Sequence, residues 1–414
     1  MWTQRVFKEV RPFLIICKVF GLAPYTIRIN LVTGEGTVDK RFIKNVGGWI
    51  STITLSASMV FGLFDSITIS KHMRRSTITD ALTTIFCIPM FFLLALSSML
   101  INSTIIKNNI NQVLKTFSFI ENRLLHLRRK PVSGLNIWSV KNILLHMDIL
   151  ILIFVIVPYL IYDSIIWKTS FYIIHFHLIR ISQIVSIITV MQYCKFVFHV
   201  GHILSEFCKI LSQFIESDYS RNDENVLTVT QLSKSRIYCR PKSFRYMTET
   251  IVSLRRMYNQ LCDAVYLINK MFGLLILLEI VTNVTAGITH LSTVMNILKL
   301  MQGPHHPTGY RAPLYLISCT LCIVISFSLV ITMIVLCQIT IWKTKELNNI
   351  VNKISLIYPL NPDTMEQLKL FSSDVSNIPF EFKAFSLFRL DYTLLCTIFA
   401  SAVTYTIFLI QLNQ

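Results

Sequence analysis

Seven apolar stretches dominate this sequence, at about 46–70, 81–106, 143–167, 171–198, 272–298, 314–342 and 390–411. Each is near the ~20 residues a helix needs to cross a hydrocarbon core, where backbone polar groups find no water and must pair within their own helix. Only 15% of the 414 residues are charged, against about 25% in a soluble domain. An all-α integral membrane protein with seven transmembrane helices is therefore expected. Residues 1–45 contain an apolar patch too short to span and no small-residue cleavage site. They read as a segment lying on the inner membrane surface.

The net charge of +17 suggests nucleic acid until its distribution is examined. Placing the N-terminus inside puts 31 Lys and Arg in segments 1–45, 107–142, 199–271 and 343–389, and 6 in the outer connections. Cytoplasmic loops accumulate Lys and Arg, so this asymmetry orients the chain with its N-terminus cytoplasmic and its C-terminus extracellular. No nucleic-acid partner is expected. Of ten cysteines, Cys17, Cys208, Cys239 and Cys262 fall inside and six fall in spans, leaving no outer disulfide framework.

The outer loops are short and the mass lies inside. The second span continues through Ile110, Val113, Leu114, Phe117, Ile120 and Leu124, and the fourth through Val200, Ile203, Leu204, Phe207, Ile210, Leu211, Phe214 and Ile215. "ESDYSRNDEN" at 216–225 reads as a loop. A stripe of Met247, Ile251, Leu254, Tyr258, Leu261, Val265 and Ile268 then leads into the fifth span with coiled-coil-like spacing. Apolar seams need partners, so these extensions (107–142 and 199–271) are expected to form a cytoplasmic anchor bundle. Segment 343–389 reads as a cytoplasmic loop with a short helix from Pro362 to about Val375, separated by "SNIPFEFKAF" from the closing helix of segment 390–414.

No HExxH, Gly-x-Ser-x-Gly or phosphate-cradling glycine loop is present. "CTLC" (Cys319, Cys322) has redox spacing, but lies within the sixth span with no polar helper nearby in sequence and reads as two small buried residues. His305 and His306 lack a third ligand and read as a solvated loop. No metal or other cofactor is expected. The sequons at Asn102 and Asn283 fall at or within spans and are expected to stay unmodified.

Ionisable residues inside spans are the stronger signal, because each costs roughly 2.5–3.5 kcal/mol at mid-span. In the outer halves of the spans lie Asp65, Tyr159, Tyr162, Asp163, Trp167, His175, His177, Arg180, Gln183 and His290. Aromatic walls with a few converging polar groups suit a small molecule. Arg180, nine residues past Phe171 and so ~14 Å along the helix, is too deep to snorkel and is expected to pair with Asp163 or Glu279. The plainer alternatives are that these charges only lock helices together, and that Tyr162 and Trp167 belong to an interfacial aromatic belt. On the last span, Thr397, Ser401, Thr404, Phe408 and Gln411 recur at steps of four, three, four and three and share one stripe. Such a stripe either packs through small residues or lines water.

"TYTIFLIQL" at 404–412 resembles the C-terminal signature of insect gustatory receptors, Thr-Tyr, five mostly hydrophobic residues, Gln and Phe. The span number, orientation, short outer loops and abrupt end resemble that family along the whole chain. The resemblance implies a plasma-membrane receptor of gustatory neurons, a ligand-gated non-selective cation channel of four like or related subunits among membrane lipids. It also implies an outer ligand pocket within residues 46–342, an anchor that includes 343–389, and a central pore lined by the helix of 390–414, with Gln411 and Leu412 at the gate. Leu412 stands where the family usually has Phe. Thr406 stands where sugar-sensing relatives tend to carry an acidic residue, which tips the reading from sugars toward a bitter plant compound as tastant. A G-protein-coupled receptor is disfavoured by orientation. A secondary transporter would show repeated halves with matching broken helices, and Pro89 and Pro158 have no counterparts.

Overall fold

A computed structural model describes residues 15–23, 26–29, 36–39, 46–72, 87–127, 170–225, 241–302, 311–357 and 361–412. In chain order the elements are β1 (Thr26–Ile29), β2 (Gly36–Asp39), α1 (Val46–His72), α2 (Ile88–Ile101), α3 (Lys107–Leu127), α4 (Ser170–Asn225), α5 (Pro241–Gln302), α6 (Arg311–Ile357), α7 (Pro362–Asn377), β3 (Lys383–Ala384), β4 (Phe388–Arg389) and α8 (Tyr392–Leu412). A single π-helical turn, Asn102–Ile106, joins α2 to α3. Among the described residues, four continuous helical runs are long and apolar enough to cross a membrane: Ile88–Leu127, Leu178–Ile215, Arg245–Leu298 and Leu316–Leu356. Shorter apolar helical stretches cover Gly48–Gly62 and Tyr392–Phe408. The third expected span, 143–167, lies outside the described residues.

The helix α5 is the spine. Its stripe of Met247, Ile251, Leu254, Tyr258, Leu261, Val265 and Ile268 is buried without exception, because that spacing keeps every member on one face for six turns. α3, α6, α7 and α8 all pack on α5, and α4 closes the bundle against α2 and α6. The seams of the expected extensions are inside: Ile110, Val113, Phe117, Ile120 and Leu124 on α3, and Val200, Ile203, Leu204, Phe207, Ile210 and Leu211 on α4.

Three regions depart from the sequence reading. Residues 216–225 continue α4 as helix rather than forming a loop, and 343–357 are the last turns of α6, whose Leu347, Val351 and Ile354 are buried. Helix propagation past an apolar face costs little when each added residue gains a backbone hydrogen bond. The N-terminal region includes the antiparallel pair β1–β2, and residues 15–23 are partly internal. Cys17, Leu22 and Ala23 are buried, and Gly21, at φ +69°, presses on Thr52, whose hydroxyl donates to the Gly21 carbonyl at 2.9 Å. A Cβ at Gly21 would meet Thr52 Cα at 2.8 Å, so only glycine fits this approach.

α7 starts at Pro362 in the first helical position, where its missing N–H is no loss. Arg255 binds Asp374 at 2.6 Å, with Asn259 at 3.3 Å from the same carboxylate oxygen. Phe371 is fully buried edge-on to Tyr258 at 6.0 Å. Replacing Phe371 with Ala is expected to cost ~3–5 kcal/mol through lost burial and a residual cavity, whereas Leu370→Ala, on the exposed side, changes stability by less than ~0.5 kcal/mol. Thermal scans of the solubilised protein followed by size-exclusion chromatography check both.

Candidate functional site

Two features are relevant to function: a polar ladder between α4, α5 and α6, and the attachment of α8. On α4, Arg180, Gln183 and Ser186 are spaced three apart and so lie along one side of the helix. Arg180 donates through Nη1 to Gln183 Oε1 at 2.7 Å and approaches Cys322 Sγ on α6 at 3.9 Å. One turn deeper, the Ser186 hydroxyl donates to Glu279 Oε2 on α5 at 2.6 Å. Asn283 Nδ2 donates to the same carboxylate oxygen at 3.0 Å and to the Glu279 carbonyl at 2.9 Å. Glu279 is 1% exposed, and its Oε1 has no hydrogen-bond partner. Further along α5, Thr289 shares a 3.2 Å hydrogen bond with Cys87 at the start of α2.

Of the two partners expected for Arg180, Glu279 forms no ion pair with it, and Asp163 lies outside the described residues. Both groups are in the ladder, but Ser186 and Asn283 occupy the carboxylate, while Gln183 and Cys322 receive the guanidinium. The reading of the pair as thiols without a polar helper is also corrected at Cys322, which the Arg180 guanidinium reaches from α4. Helix-to-helix proximity of this kind is invisible to spacing along one chain. Arg180 and Gln183 thus come together beside Cys322 of α6, and His290 lies on α5. Tyr159, Tyr162, Asp163 and Trp167 lie outside the described residues, and His177 is on α4 with its side chain undescribed. Asn102 and Asn283, the two sequon asparagines, are both buried.

The closing helix α8 is held on one side. Ile398, Ala402 and Thr406, spaced four apart, are its buried residues, and Phe399 stacks on Phe327 of α6 with centroids 5.6 Å apart. Thr397, Ser401, Thr404, Phe408 and Gln411 are all exposed; at 3.6 residues per turn they lie on the side facing away from the buried stripe. The hydroxyls of Thr397 and Thr404 donate to the carbonyls of Thr393 and Ala400, each at 2.9 Å, which lowers the cost of polar residues there. Leu412 is the last residue of α8. Thr406 is not on the outward stripe: it is buried and donates to the Ala402 carbonyl at 2.7 Å.

The connection into α8 was not legible in the sequence. β3 and β4 form a short hairpin with a three-residue turn, in which Phe385 (φ 48°) and Ser386 (φ 59°) are left-handed. Asn269 on α5 grips it from both sides, donating to the Glu381 carbonyl at 2.7 Å and accepting from the Lys383 N–H at 3.2 Å. One turn on, a Cβ at Gly273 would stand 3.0 Å from the Phe385 nitrogen. An amide side chain one turn before a glycine, on the buried stripe of a long helix, is the signal that marked this contact. Asp391, at the start of the closing span, caps α8, its carboxylate accepting from the Leu394 N–H at 3.0 Å.

The model of the 7tm chemosensory receptor family matches residues 10–414. This chain belongs to the 7tm chemosensory receptor family. As a member of that family it is a multi-pass membrane protein. The same fold occurs in the insect olfactory receptor OR5 from Machilis hrabei, at 11% identity and a TM-score of 0.57, with 99% of this chain and 100% of that chain covered. The structure of that receptor in complex with eugenol matches equally well, at 12% identity, a TM-score of 0.57 and the same coverage. No curated protein sequence matches the chain. At these identities the chemosensory receptor shares a fold with OR5, and its side-chain chemistry is its own.

The polar ladder of this receptor predicts a clear contrast at Glu279. Replacing it with Leu leaves Ser186 without its acceptor and Asn283 with only the backbone carbonyl of residue 279, and costs ~1–3 kcal/mol. Replacing it with Gln retains an acceptor oxygen and costs less. Thermal midpoints of the two variants in detergent decide the point, and equal losses would remove the carboxylate from the bundle's hydrogen bonding.

Proposed function

We propose that this chemosensory receptor is a subunit of a ligand-gated, non-selective cation channel of the gustatory type, opened by a small-molecule tastant and assembled as a tetramer of like or related subunits. It orients with its N-terminus cytoplasmic and its C-terminus extracellular in the plasma membrane of gustatory sensory neurons. The observation that carries the reading is the outward stripe of Thr397, Ser401, Thr404, Phe408 and Gln411, opposite the side by which α8 docks on its own chain. An exposed stripe rich in hydroxyl and amide groups is less suited to lipid than to a water-filled axis where symmetry-related helices meet. At the end of that stripe, Gln411 and Leu412 form the gate, a polar ring followed by an apolar one that closes by dewetting.

The ligand occupies the outer half of segment 46–342, against Tyr159, Tyr162, Asp163, Trp167, His177, Arg180, Gln183 and His290. The binding of eugenol by OR5, an aromatic plant compound, supports a small organic ligand for this fold. A bitter plant compound is the preferred class, with sugars second. Binding shifts the channel toward the open state by its difference in affinity between the two states. The displacement passes down α5 to Asn269 and Gly273, through the hairpin, and into α8.

Outside-out patches from cells expressing the chain, perfused without GTP with plant alkaloids, glycosides and sugars, are expected to show rapid cation currents to one class. Silence with surface expression confirmed would overturn a homomeric channel. Leu412→Ala is expected to raise the ligand-free leak. Asn269→Ala removes both hydrogen bonds to the hairpin, and is expected to shift the current dose–response to higher concentration while direct ligand binding changes little. A parallel shift in binding would place Asn269 in the ligand site instead.

A further inference from the structure

A cavity of about 400 Å³ opens between α3 and α5, in the half of the bundle that the proposed orientation places in the cytoplasm. Phe119 and Arg123 of α3 and Ser253 and Arg256 of α5 line it, and buried Met257 with half-buried Val252 adds an apolar wall. That volume is within the ~300–1,000 Å³ of small-molecule sites, and the channel reading gives it no role. Its two arginines differ from those beside them. Arg255 is tied to Asp374 of α7 at 2.6 Å, and Arg245 to Glu249 at 3.1 Å. Among the described residues Arg123 and Arg256 have no ion pair or hydrogen bond; the Arg123 guanidinium lies over the Phe119 ring, 5.8 Å from its centroid. Glu249 is the one acid among the described lining residues, and Arg245 already engages it. The cavity thus brings together two uncompensated guanidinia from different helices, each a planar fork of donors that matches phosphate oxygens.

We propose that this cavity binds a soluble phosphate monoester with an apolar body, through Arg123 and Arg256. A phosphate monoester carries about −1.5 to −2 charge at neutral pH, which balances the two guanidinia. Ser253, one turn before Arg256 on the same face of α5, offers a hydroxyl to a further phosphate oxygen. The organic part rests on Val252 and Met257. Depth along α3 favours a soluble compound over a lipid headgroup. Lys107, at the start of α3, sits over the ring of Trp49 on α1 at 4.9 Å, an aromatic and a cation of the kind that mark a membrane surface. Phe119 and Arg123 follow 12 and 16 residues later, ~18 and ~24 Å further along the helix. Held by guanidinia from two helices, the anion clamps α3 to α5 and gives the cell interior a point of control over the bundle.

The test is equilibrium dialysis of fluorescent 1-naphthyl phosphate against the full chain in phosphatidylcholine nanodiscs, with empty nanodiscs as the blank. Saturable binding that inorganic phosphate displaces is expected. Arg123→Gln and Arg256→Gln should each weaken it at least ~10-fold. Both side chains are exposed, so the thermal midpoints of these variants should match the parent. Lys353→Gln removes an exposed cation of α6 outside the cavity and should change nothing. Ser253→Asp, which keeps both arginines and adds a like charge to the phosphate, should lose binding as well. No saturable binding below ~1 mM, or equal weakening in Lys353→Gln, would overturn the site. Loss of probe binding in nanodiscs that contain phosphatidylinositol 4-phosphate would assign the cavity to a lipid headgroup and overturn the soluble ligand. The readout needs no current, so a chain that binds the probe but conducts nothing would keep this site and reject the channel, and the reverse result would do the opposite.

Discussion

Everything in this fold depends on α5 presenting one unbroken apolar face from Met247 to beyond Ile268. Hydrocarbon offers no hydrogen bonds to a frayed backbone, so the helix cannot be interrupted where it enters the membrane. The same face that packs the polar half of the bundle therefore runs on directly into the span. Tyr258, Phe371, Phe380 and Phe382 cluster on it, so α7, the hairpin and α8 are all located by one helix. A ligand-induced tilt of α5 would thus be felt at both ends of the molecule without a dedicated linker.

The polar groups follow the complementary rule. Several buried polar side chains in the apolar region are met from another helix: Ser186 by Glu279, Tyr193 by Cys337 and Gln192 by Cys17 at 3.1 Å. Near the polar end, Glu121 and His199 approach to 3.0 Å under the ring of Phe117. None of these pairings adds much stability by itself, since an intramolecular hydrogen bond nets only ~0.5–1.5 kcal/mol. They set which helix faces meet, because the mismatched arrangement leaves two buried groups unpaired.

How much of this was legible in the sequence divides along the same line. Periodicity within a helix carries its own evidence, so the seams of α3, α4 and α5, the start of α7 at Pro362 and the outward stripe of α8 could all be read from spacing. Pairings between helices carry none: of the two partners expected for Arg180, Glu279 is held by Ser186 and Asn283 and Asp163 lies outside the described residues, and nothing in CTLC signals that Arg180 reaches Cys322. Polar composition also misled at 216–225, where charged residues extend a helix that apolar contacts have already nucleated. The β3–β4 hairpin escaped because two-residue strands leave no periodic trace, and the capping role of Asp391 because a cap and a buried charge look alike in one dimension.

The opposition of two stripes on α8 has a further consequence. Ile398, Ala402 and Thr406 carry the helix's deepest packing on its own chain, while Thr397, Ser401, Thr404 and Gln411 take no part in it. Substitutions on the outward side are therefore invisible to the folding of the subunit. Divergence can retune what that side meets, residue by residue, without the compensating changes that a core would demand.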